Sequence, residues 1–111
     1  MATSFSMLST FPPTQCGLAT FASALVTEIA ATGAEVGVVR VVDEPEPRVP
    51  FVTHEWVTSA PGSVRAAARA LEEFDVAIVQ HEYGIFGGRD GADVVELMES
   101  VRVPVIVVLH T

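Results

Sequence analysis

The sequence predicts an α/β domain, a parallel sheet with helices on both faces. Three observations carry that reading. The runs Val76–Val79 and Val105–Leu109 are unbroken and apolar, the pattern of strands buried on both faces. They alternate with segments whose apolar residues recur at helical spacing. Polar and glycine residues then arrive where the runs end, at the carboxyl ends of strands, where open α/β sheets bind ligands.

Each element follows in order. Ser4 to Leu8 is a short strand placed before a loop of turn formers, Ser9, Thr10, Pro12 and Pro13. Leu18, Phe21, Leu25 and Ile29 make one apolar helical stripe. Gly33, just beyond Thr32, is a natural left-handed stop for that helix. Val36, Val38, Val39, Val41 and Val42 form a β-branched buried strand. Asp43-Glu44-Pro45-Glu46-Pro47 is a solvated loop. Phe51 to Val57 suits an edge or half-exposed strand. Ala60-Pro61-Gly62-Ser63 opens a second helix with Val64, Ala67, Ala68 and Leu71 on its inner face. Val94, Leu97, Met98 and Val101 stripe a third helix, and Val103-Pro104 ends it.

Right-handed crossovers leave few topologies. The expected Rossmann-like order puts the first strand in the centre, the second and third on one side, and the fourth and fifth on the other. The switch point then lies between the first and fourth strands. The Cys16-Gly17 turn and the His81 cluster are expected to face one crevice there.

Composition narrows the function. The chain has 111 residues, half of them hydrophobic, enough for one domain with a real core. Its formal net charge is −8, and all six basic residues are arginine. Without a basic cluster there is no electrostatic footprint for nucleic acid, and anionic lipid is disfavoured. The single cysteine excludes an internal disulfide and fits a reducing compartment. The N-terminus lacks a basic n-region, and Pro12-Pro13 breaks its apolar stretch early, so a signal peptide is not expected. The aliphatic run Val103–Leu109 is too short to span a bilayer. The expectation is a cytoplasmic chain with no integral membrane segment.

The chemistry-bearing residues gather at strand ends. Gly17, between the first strand and its helix, lets backbone approach a ligand beside unpaired N–H groups suited to a phosphate or a sugar hydroxyl. The turn is not a G-x-G-x-x-G fingerprint, and a chain without lysine holds no Walker A loop. His81 can hydrogen-bond a sugar hydroxyl, and Glu82 can accept bonds from two. Gly84, Gly87, Gly88 and Gly91 make an open loop whose backbone can fold over a ligand, with Asp90 suited to cap the following helix. Tyr83 and Phe86 suit stacking on a sugar face or packing against the first helix. His110 ends the strand beside His81 and can reach the same crevice. His54-Glu55 reads as a solvated pair, and Cys16 has a packing or loop role. No H-E-x-x-H, zinc set or G-x-S-x-G elbow is present, so no metal site is expected.

Three blocks, Phe11 to Phe21, Asp75 to Gly88 and Pro104 to Thr111, resemble the N-terminal domain of a GT-B-fold glycosyltransferase of family 4, the glycosyl transferases group 1 type. The resemblance spans essentially the whole chain. It implies two Rossmann-like domains across a cleft, the N-terminal one holding a hydroxyl acceptor and the C-terminal one a nucleotide-sugar donor. A hexosyl group is then transferred with retention, and no metal or other cofactor is implied. Gly17 would belong to the first glycine loop near donor phosphates and acceptor. His110 would be the catalytic histidine contacting the transferred sugar, and His81-Glu82 would line the acceptor side. Two departures stand out. Cys16-Gly17 occupies a turn where many members have two glycines, and the sequence stops at Thr111, before the donor domain. The expectation is therefore an incomplete acceptor-side domain over 1–111, with little activity alone and with uncovered sheet surface that favours self-association. The rival reading is a non-catalytic Rossmann-like binding or interaction module. A nucleotide-dependent oxidoreductase is disfavoured by the missing glycine fingerprint.

Overall fold

A computed structural model describes residues 3–110; Thr111, the end of the third block, lies outside the described residues, as does the side chain of Asp90. The elements run β1 (Phe5–Ser9), α1 (Gly17–Ala31), β2 (Val36–Val42), β3 (Val52–Val57), α2 (Ser63–Leu71), β4 (Val76–His81), α3 (Asp93–Ser100) and β5 (Val105–Leu109), with a 3₁₀ turn at Arg89–Gly91. The five strands form one sheet in the order β3-β2-β1-β4-β5, and every pairing is parallel. This is the expected Rossmann-like α/β topology, with its switch point between β1 and β4.

Side chains alternate across the sheet, and the two faces collect separate cores. Met7, Val38, Val52 and Ile78 pack under α1 with Phe11, Ala22 and Val26. Leu8, Val39, Val41, Ala77 and Val79 pack under α2 and α3 with Trp56, Leu71, Val94 and Leu97. Helices therefore cover both faces. Trp56 is wholly buried although β3 is an edge strand, and its indole N–H donates to Ser63 Oγ at 3.1 Å. That bond joins β3 to the start of α2.

The buried arc of α1 differs from the expected stripe. Leu18, Ala19, Ala22 and Val26 are buried, Leu25 and Ile29 are half-buried, and Phe21 is 45% exposed. At 100° per residue, Phe21 lies about 60° round from Leu18, away from Ala22 and Val26. The small alanines face the sheet, and the ring is left on the flank. Gly33 stops the helix in a left-handed conformation, with φ +92°, as the sequence suggests. The N-cap position of α3 is Ala92, which has no side-chain acceptor, and the expected cap from Asp90 rests on a side chain outside the described residues.

No described helix is long and apolar enough to cross a membrane. Strand β5 forms the second sheet edge, and it is thinly covered: Ile106 is 49% exposed, Val107 41% and Leu109 73%.

Candidate functional site at the carboxyl end of the sheet

The switch point gathers the β1–α1 turn, the end of β4 and the end of β5. Cys16 is the N-cap of α1; its sulfur accepts from the Ala19 N–H at 3.4 Å and lies 3.3 Å from Thr10 Oγ1. The cysteine thus does the work usually given to serine or aspartate, in keeping with the expected loop role. Next to it, Gly17 has no left-handed φ, and a Cβ placed there would meet nothing within 4 Å. Neither chain geometry nor packing calls for glycine at this position. The open space lies in front of the helix N-terminus, where a ligand can meet backbone directly.

His110 follows the end of β5. Its backbone N–H donates to the His81 carbonyl at 2.8 Å, extending the β4–β5 ladder by one step. Its ring meets Phe21 edge-on, with centroids 5.0 Å apart at 73°, and its Nε2 lies 2.7 Å from Gln80 Oε1. Phe21 is one helical turn on from Gly17. The ring displaced from the α1 stripe therefore packs against His110.

His81 is turned the other way. It follows Gln80 directly in β4, so the two side chains leave opposite faces of the sheet. Register pairs His81 with Leu109 rather than His110. The His81 ring lies 5.7 Å from Phe86, which in turn lies 5.8 Å from Trp56 on the α2/α3 face. The histidines share an edge but not a face. Phe86 is buried against that core and away from the first helix, whereas Tyr83 is 80% exposed at the loop tip and Glu82 is half-buried.

The glycines of this loop divide by role. Gly88 has φ +83°, and a Cβ on it would lie 2.5 Å from Asp93 Oδ1; one on Gly87 would lie 3.0 Å from Asp93 Oδ2. The Asp93 N–H also donates to the Gly87 carbonyl at 3.2 Å. Both positions are shaped by the approach of the loop to the start of α3. Gly84 faces open space.

Several contributors escape a linear reading. Arg40 in β2 is wholly buried, and its Nη2 lies 2.6 Å from Glu55 Oε2. It also donates to the carbonyls of Pro12 at 3.2 Å, Glu46 at 3.2 Å and Pro47 at 2.8 Å. The Glu46 N–H in turn donates to the Glu55 carboxylate at 3.3 Å. One expectation is corrected here: Glu55 is no solvated partner of His54 but the counter-charge of a buried guanidinium. The acidic loop is largely exposed, as expected, and clasped at its end. His54 instead meets Glu73 at 3.2 Å, both partly exposed. The presence of arginine within a valine strand was the available signal, because a charge there needs a partner.

Once held, the acidic loop walls a cavity of about 430 Å³ at the carboxyl ends of β1 and β2. Asp43, Glu44 and Glu46 face Thr10, Thr14 and Gly84 across it. Carboxylates and hydroxyls accept hydrogen bonds from a polyhydroxyl ligand, and the same charges repel a diphosphate. None of Gly17, His81, Glu82 or His110 is among the cavity's lining residues. Among the described residues, no group of three or more His, Cys, Asp and Glu side chains is placed to hold a metal ion.

With this geometry in place, comparisons with protein-family models, curated proteins and solved structures found no match.

Proposed function

We propose that this chain is the acceptor-side part of a cytoplasmic group 1 GT-B glycosyltransferase, which moves a hexosyl group from a nucleotide sugar to an acceptor hydroxyl with retention. The observation that carries the reading is the unfilled space at Gly17 in the β1–α1 turn, with Phe21, one helical turn on, against the His110 ring. The three resembling sequence blocks support it. So does the acidic cavity, which offers acceptors to the hydroxyls of a sugar and is unsuited to the donor diphosphate. In this reading His110 touches the transferred sugar, and Gly17 presents backbone N–H groups to the donor. Transition-state stabilisation of the leaving diphosphate falls to the helix N-terminus and to basic groups of a donor domain.

The test is amide-resolved NMR of the labelled chain, titrated with hexoses, nucleotide sugars and NAD. Saturable shifts at Gly17 and His110 with sugar ligands, and none with NAD, are the expected result. Flat titrations with every sugar and nucleotide sugar overturn the reading.

The β5 edge favours the interaction module as the second reading, because Ile106, Val107 and Leu109 expose apolar side chains on both sheet faces. Flat sugar titrations together with tight binding of a protein partner select it. The same edge is the surface through which self-association would occur.

A further inference from the structure

Gln80 is the polar end of an apolar strand, and it is wholly buried. Its amide has two neighbours of different chemistry. Nε2 lies 3.7 Å from the Met7 sulfur, and Oε1 lies 2.7 Å from His110 Nε2. A thioether sulfur accepts weakly and never donates, and an amide oxygen accepts only. With the amide turned this way, its N–H points at an acceptor and its oxygen requires a donor. Reversing it would set two acceptors, carbonyl oxygen and sulfur, against each other in the core. It would also leave the buried NH₂ group with no acceptor other than the ring nitrogen.

We propose that Gln80 is a positioning residue that holds neutral His110 in the Nε2–H tautomer, leaving Nδ1 as the unprotonated nitrogen. Met7 orients the amide, the amide oxygen selects the protonated ring nitrogen, and the Phe21 edge at 5.0 Å braces the ring plane. The backbone bond from His110 N–H to the His81 carbonyl at 2.8 Å fixes the main chain beneath it. Among the described residues, no group bonds Nδ1. The free nitrogen is thus a hydrogen-bond acceptor, matched to a ligand hydroxyl and mismatched to a phosphate or carboxylate oxygen. That ligand preference rests on the sugar-transfer reading; the tautomer does not.

Long-range proton–nitrogen correlation spectra of the ligand-free chain, recorded with His110 neutral, read the tautomer directly. The expected spectrum has a protonated-type Nε2 and a bare-type Nδ1, with a slowly exchanging Nε2–H proton. Gln80→Leu removes the acceptor, so that proton should exchange up to about tenfold faster, with both nitrogen shifts moving toward an average. Met7→Leu conserves volume and removes only the orienting sulfur, which should loosen the tautomer preference even if Gln80→Leu fails to fold. An Nδ1–H tautomer in the wild type overturns the proposal, as does a spectrum unchanged by both substitutions. Because no ligand is present, the spectra stand apart from any failure of the sugar titrations.

Discussion

The two edges of the sheet are finished in opposite ways. At the β3 edge the polar groups are tied in: Arg40 is buried, Glu55 neutralises it, and three backbone carbonyls also accept from its guanidinium. On the opposite face of β3 from Glu55, Trp56 is wholly buried. At the β5 edge a strand of aliphatic residues ends in a half-buried histidine, and Leu109 is 73% exposed. The first edge holds two loops in place around a cavity, and the second presents surface. A buried charge is therefore held at one edge, and apolar surface is open at the other.

Breaking the closed edge should have the largest effect. Glu55→Ala strands the Arg40 guanidinium without its counter-charge, a loss of about 3 kcal/mol. Denaturant unfolding is expected to show a lower midpoint with an unchanged slope. A midpoint equal to wild type would mean that the three carbonyls satisfy Arg40 alone. Between the edges, Gly88→Ala should cost about 2 kcal/mol, because its φ of +83° and ψ of 177° suit only glycine. Thermal unfolding checks this, and an unshifted midpoint would show that the loop re-forms without that conformation. The smallest effect belongs to the open edge. Leu109→Lys should change stability by no more than about 0.5 kcal/mol while shifting sedimentation toward a single monomeric species. A large stability loss would show that Leu109 is part of the core after all.

Much of the fold was legible because it rests on local rules. Apolar runs marked the strands, helical spacing marked what lay between them, and the hand of the crossovers led to the order β3-β2-β1-β4-β5. Gly33 and the Val94, Leu97 and Met98 stripe fell where those rules place them, although the helix stops at Ser100 with Val101 already extended. The site was legible as a location and not as an arrangement. His110 lies on the α1 face against Phe21, but His81 faces away because consecutive strand residues leave opposite faces. Phe21 looked like core by spacing, yet it braces a histidine because alanines took the inner arc of α1. Glu55 looked solvated beside His54, and only register set it opposite Arg40.

By itself, then, the sequence determined the alternation of strands and helices, the switch point and the gathering of polar residues at strand ends. These follow from periodicity and chain hand, which act over short separations. The tertiary structure decided which polar groups meet: Arg40 with Glu55 and the carbonyls of Glu46 and Pro47, Gln80 with both Met7 and His110. Those pairings depend on strand register and helix rotation, and a shift of one residue in either moves a side chain to another face.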